Sequence, residues 1–164
     1  MKKAIVSLLI LVLCLSLCAC GAKNKTEYQL LNNLKIGDSF ATAEEIFGFP
    51  IYSNLTHNPP EKMYYEYSPI EVYDLEFMPW IRTDESDNVL LHAYSYQTNT
   101  HSAAYDAVIE KIHQNLVAIY GEPTESEDND YTWSLDDGTS IFARSSSFSN
   151  TYSFTFGHKK TKYR

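Results

Sequence analysis

Helical spacing gives way to strand alternation twice along this chain. From Phe40, the apolar positions Phe40, Ala43, Ile46 and Phe47 share one helical face. Ser39 is placed to cap that helix, and Asp38 adds negative charge at its start. Gly48-Phe49-Pro50 is a stop: glycine suits a left-handed C-terminal position, and proline cannot continue a helix. Beyond Asn58-Pro59-Pro60 the period becomes two. Residues 63–67 read as an aromatic-rich strand. Residues 71–78 read as a second, with Tyr73, Leu75 and Phe77 alternating against Val72, Asp74 and Glu76. A polar turn at 84–88 leads to a third strand at 89–97.

The second half has the same order. Residues 103–120 form the strongest helical pattern, a stripe of Val108, Ile109, Ile112, Leu116, Ile119 and Tyr120. It stops at Gly121-Glu122-Pro123, the same Gly-x-Pro signal. Strands follow at 131–135, 140–144 and 151–156, the first two joined by an Asp-Gly turn at Asp137-Gly138. Helices segregated from an antiparallel meander sheet make an α+β fold, with the helices on one face. Recurrence of helix, Gly-x-Pro and three strands about 70 residues apart predicts two tandem repeats, 28–100 and 101–158.

The elements Ile36-Gly37-Asp38-Ser39, a short helix, Gly48-Phe49-Pro50 and Tyr64-x-x-Tyr67 resemble the small-lipoprotein domain of the SmpA/OmlA family. The same fold recurs as a tandem pair in the β-lactamase inhibitor protein family. The resemblance covers residues 34–97 for one copy and 103–157 for a looser second one, on a short and moderately specific motif. It implies a non-enzymatic module that binds protein surfaces, or partners associated with peptidoglycan, through its exposed sheet. Asp38 departs from the apolar residue usual at that position, and the disulfides of the inhibitor family are absent, so the likeness bears on architecture more than on the partner.

The first 20 residues have a pattern of their own. Lys2 and Lys3 precede an apolar run, residues 4–17, which ends in Leu17-Cys18-Ala19-Cys20. Leucine at −3 and a small residue at −1 before cysteine is a bacterial lipoprotein signal, and the run is short for a spanning helix of about 20 residues. Residues 1–19 are accordingly expected to be removed and Cys20 to carry acyl chains, with residues 20–27 as a tether. The expected location is the extracytoplasmic face of the cell membrane, lipid-anchored. All three cysteines lie within this stretch, so the domain is expected to use neither disulfide nor thiol.

Charge narrows the partners. The chain carries 13 basic and 21 acidic residues, a formal net charge of −8. Loss of Lys2 and Lys3 takes this to about −10, which repels nucleic acid and anionic headgroups. The basic cluster at 159–164 reads as a solvated tail.

Catalytic constellations are weak. His57, His92, His101, His113 and His158 fall in no metal-ligand spacing, and His113 is expected on the solvated side of the long helix. Ser145-Ser146-Ser147 lacks a nucleophile elbow and reads as a polar loop. The acidic runs at 84–88 and 125–130 lack the glycine and distal glutamate of a calcium loop. The sequence calls for no cofactor.

Tyrosine is in excess, at 13 residues. Only one face of the sheet hides under the helices. If Met63, Tyr65, Tyr67, Tyr73, Leu75 and Phe77 face the helices, then Tyr64, Glu66, Asp74 and Glu76 face outward, joined by His92, Tyr94 and Tyr96. Leu90 in the same phase argues for partial burial of that neighbour strand. Such a face suits capture of an envelope or extracellular protein, since tyrosine gives contact area at small entropic cost. Tyrosines solvated on a β-rich secreted domain are the equal alternative. A carrier of a small ligand or ion serving a membrane transporter is the second functional class; a deep apolar pocket between helices and sheet favours it, and a flat or shallow sheet counts against it.

Overall fold

The computed structural model describes residues 26–49, 52–56, 62–65 and 67–161. The expected lipoprotein signal, Cys20, His57 and Glu66 lie outside them. Three helices, α1 (Glu27–Asn33), α2 (Phe40–Phe47) and α3 (Ala103–Tyr120), accompany an antiparallel sheet, giving an α+β fold among the described residues. No helix among them is long and apolar enough to cross a membrane.

α1 is an addition to the elements read from sequence. Thr26 accepts from the Gln29 backbone and the Gln29 side chain returns the bond, a capping box that starts a helix inside the expected tether. Its first residue, Glu27, is buried. α2 and α3 are capped by Ser39 and Ser102, each accepting from a backbone N–H three residues on. The Asp38 carboxylate instead accepts from the Lys35 backbone, closing the turn before α2.

The strands are β1 (Tyr52–Thr56), β2 (Lys62–Tyr65), β3 (Ile70–Val72), β4 (Leu75–Thr83), β5 (Val89–Thr98), β6 (Glu125–Glu127), β7 (Asp130–Ser134), β8 (Thr139–Phe148) and β9 (Thr151–Lys160). Their order is β1-β2-β4-β5-β9-β8-β7-β6, with β3 pairing the start of β4. Each half therefore runs inward from an edge, and their last strands, β5 and β9, pair antiparallel at the centre.

Three expectations change here. The single strand 71–78 is a hairpin: Tyr73 and Asp74 both take positive φ (51° and 66°), reversing the chain between β3 and β4. Ser145, Ser146 and Ser147 lie within β8 and pair with β9, so they are not a loop. The basic tail is shorter than expected, because Lys159 and Lys160 continue β9 opposite Ser140 and Thr139.

All three helices pack on one sheet face. Leu30, Leu31 and Leu34 from α1 and its exit, Ala43 and Phe47 from α2, and Tyr105, Ile112 and Leu116 from α3 close over Phe77, Ile81, Tyr94, Trp133, Ile141 and Phe156. Aromatic rings fill this interface, with Tyr94 stacked on Phe156 at 5.2 Å and Phe77 edge-on to Phe156 at 5.4 Å. Among the described residues no helix covers the opposite face.

Candidate functional site

That uncovered face is where strand alternation leaves Met78, Trp80 and Arg82 of β4 beside Leu91, Ala93 and Ser95 of β5. β9 contributes Thr155, Gly157 and Lys159 to the same face, and β8 contributes Phe142 and Arg144. Leu91, Ala93 and Phe142 form a small buried cluster with Trp80 against it, separate from the main core. Gly157 makes the cluster possible. A Cβ there would lie 2.5 Å from the His92 carbonyl oxygen and 2.8 Å from the Phe142 ring, so only glycine lets that ring lie on the sheet.

Trp80 is fixed by polar contacts. Its indole N–H donates to Ser95 Oγ at 2.9 Å, and Ser95 in turn bonds Thr155 Oγ1 at 2.8 Å. This chain spans β4, β5 and β9, and it commits the ring to one orientation across the face. Pro79 makes the strand itself unusual. It lies between the β4 residues paired to β3 and those paired to β2, so neither of those ladders uses it, while it keeps register with Tyr94 of β5.

Two hollows share Trp80. One, of about 360 Å³, is lined by Trp80, Phe142, Arg82, Arg144, Lys159 and Asp130 among others. The second, of about 460 Å³, is lined by Met63, Glu76, Met78 and Gln97 with Trp80. Around Phe142, the Arg144 guanidinium and the Lys159 ammonium stand 5.4 and 5.6 Å from the ring centroid. Arg144 also meets Asp130 at 3.4 Å. The first hollow is thus cationic on an apolar floor, in a chain whose net charge is −8.

Of the residues expected on the open face, only Glu76 is placed there by the described side chains. His92 and Tyr94 are corrections: their strand faces the helices at those positions, and they are 1% and 0% exposed. Tyr96 is half-buried on the same helix side, 5.7 Å from Phe77 and 5.9 Å from Tyr105. Asp74 is exposed in the β3–β4 turn rather than on a strand face. Tyr64 pairs in register with Ile81, and its side chain is outside the described set, as is Glu66. Met63, expected under the helices, lies opposite Arg82 and lines the open-face hollow.

A third hollow, of about 410 Å³, opens between α3 and the ends of β7 and β8. His101 meets Asp106 at 2.9 Å and its ring lies 4.8 Å from Tyr152. His113, expected in solvent, instead stacks on Tyr131 at 4.1 Å. Among the described residues no three side chains come together as a metal site. The acidic run at 84–88 spends its first carboxylate internally, with Asp84 Oδ1 accepting from the backbones of Ser86 and Asn88. The run at 125–130 is the β6–β7 hairpin, turned by Asp128 and Asn129 at positive φ. This third hollow is lined largely by polar side chains, unlike the deep apolar pocket that would favour the carrier class. Comparison with protein-family models, curated proteins and solved structures matches none of them to this chain.

Proposed function

We propose that this chain is a membrane-anchored extracytoplasmic lipoprotein that acts as a non-catalytic protein-binding module through its open sheet face. The observation that carries the reading is Trp80, held by Ser95 and Thr155 beside the buried Leu91 and Phe142. A rigid, half-buried aromatic in a shallow hollow, with charged groups around it, has the make-up of a binding anchor. The anchoring part of the proposal rests on the Leu17 to Cys20 pattern.

Tandem α/β repeats of the SmpA/OmlA kind belong to the same proposal. They are supported by two halves that run inward from opposite edges to pair β5 with β9. Matching helix stops add to this: Gly48 and Gly121 have φ of 82° and 81° with ψ of −175° and −166°.

Photocrosslinking with the full chain in cells tests the reading. A photoreactive residue in place of Gln97, exposed on the open face, is expected to give discrete protein adducts, whereas one at Gln114 on α3 is not. Adducts of equal strength at both positions, or none from Gln97, would remove the open face as the binding surface.

A further inference from the structure

We infer that the third hollow, between α3 and the ends of β7, β8 and β9, binds a neutral saccharide, with tyrosine rings against the sugar and polar side chains on its hydroxyls. The hollow lies on the helix side of the sheet, apart from the open face. Its origin is a change of side-chain size along β8. Ile141 and Ala143 of that strand belong to the core under the helices, and strand alternation puts Ser145 and Ser147 on the same side. In the neighbouring strands Tyr131 pairs with Ala143 and Tyr152 with Ser147, so tyrosines flank this serine floor from either side. Small hydroxylated residues under α3 leave open the space that larger ones fill elsewhere, a hollow of about 410 Å³. Small-molecule sites usually measure about 300–1,000 Å³.

Aromatic rings stand on two sides of that floor. On one, the Tyr152 ring centroid lies 4.8 Å from His101 and 6.4 Å from Tyr105. On the other, Tyr131 lies 4.1 Å from His113. Tyr105, Ile109 and His113 recur every four residues and so present one face of α3 to the hollow. Charge and hydrogen bonding select the ligand. Asp106 and Glu110 line the hollow and no lysine or arginine does, so an anion is repelled. Both carboxylates are already engaged, Asp106 by His101 at 2.9 Å and Glu110 by the Gln114 amide at 2.7 Å, which weakens their pull on a cation. An apolar ligand would strand the hydroxyls and carboxylates without partners. Among the described residues, the hydroxyls of Tyr105, Tyr131 and Tyr152 make no hydrogen bond. With Ser145 and Ser147 they offer groups that both donate and accept, beside carboxylates that only accept, which matches a polyhydroxylated neutral ligand. The C–H face of a sugar ring also suits the electron-rich face of tyrosine.

Saturation-transfer NMR on the full chain, in a polyoxyethylene detergent that carries no sugar, tests the inference. The probes are neutral tetrasaccharides of glucose, mannose, galactose and N-acetylglucosamine, with tetragalacturonate and tetraglucosamine as anionic and cationic counterparts. At least one neutral probe is expected to give a saturable signal, and the charged two weaker signals or none. Ser147→Trp, at an exposed position of the floor, is expected to abolish the signal by filling the hollow. Asp106→Asn, of the same shape, is expected to weaken binding about tenfold. Both variants are expected to keep the wild-type melting temperature, so that lost signal is not lost folding. Gln97→Trp, on the open face, is expected to bind sugar as the wild type does. Silence toward every neutral probe, or a neutral signal that survives Ser147→Trp, overturns the inference. A stronger response to tetraglucosamine would make the hollow an amine site, and a signal lost in Gln97→Trp would move sugar binding to the open face; each refutes the assignment. Protein adducts from Gln97 are read separately, so failure here leaves protein capture by the open face standing.

Discussion

The rings of His92 and His158 meet edge to face across the central strand pair, their centroids 5.6 Å apart. His158 Nε2 bonds Thr139 Oγ1 at 2.7 Å, and Thr139 donates to Asp137 at 2.6 Å, so the pair is linked to a surface carboxylate. Burial lowers the His92 pKa to about 3, with His158 pushing the same way and the Leu34 backbone opposing. Burial also lowers His158, against the pull of Asp137.

These depressed values make stability sensitive to acid. An unfolded histidine takes a proton near pH 6.5, so below that pH the unfolded chain binds more protons than the folded one. Stability is expected to fall as pH drops from about 6.5 toward 3, with His92 contributing up to about 1.4 kcal/mol per pH unit. Urea unfolding between pH 7 and 5, above the carboxylate range, measures this slope. His92→Phe is expected to flatten it; an unchanged slope in that variant would place the sensitivity elsewhere.

Tyr94 separates core from binding face. It is fully buried, donates its hydroxyl to the Leu30 carbonyl at 3.0 Å and lies edge-on to Phe47 at 6.0 Å. Tyr94→Ala is expected to cost about 3–5 kcal/mol of stability, and Tyr94→Phe about 1 kcal/mol. Thermal denaturation distinguishes this from an exposed tyrosine, whose removal leaves the melting temperature nearly unchanged.

Tyr73 joins α1 and α3 from the β3–β4 turn. Its hydroxyl donates to Glu27 Oε2 and accepts from Asn115 Nδ2, both at 2.9 Å, while Lys111 stands 3.8 Å over its ring. Burial first, then the Glu27 carboxylate, pushes its pKa up to about 12. Tyr73→Phe keeps the ring and removes the hydroxyl from the buried Glu27, for an expected loss of roughly 1–3 kcal/mol. The double variant with Glu27→Gln should lose less than the sum of the two single changes, and simple additivity would deny the coupling.

The long helix was legible because its stripe and its Gly121 stop agree, and the structure adds the Ser102 cap. Sheet faces were not. β5 places Leu91 and Ala93 outward and His92 inward, so polarity along that strand misreports its orientation. The β3–β4 turn carries no glycine, only Tyr73 and Asp74 at positive φ, and Pro79 disguises the continuation of β4 to Thr83. The cationic hollow was beyond any local reading. Arg82, Arg144 and Lys159 come from three separated strands, and only the order β4-β5-β9-β8 gathers them.

Gly121 ends α3 by a conformation rather than by fit. Its φ of 81° and ψ of −166° lie in a region that essentially only glycine occupies, while its N–H still bonds the Val117 carbonyl at 2.8 Å. A Cβ added there meets nothing within 4 Å, so any cost of a side chain is backbone strain and not a clash. The strained exit also directs the Gly121 carbonyl to the Trp133 indole, which donates to it at 2.8 Å. Gly121→Ala is therefore expected to cost about 1–3 kcal/mol in urea unfolding, with Trp133 emission altered as its acceptor moves. D-Alanine, introduced by peptide ligation, favours positive φ and is expected to leave stability near wild type. Equal destabilisation by both alanines would mean that space, not conformation, requires glycine at this helix end.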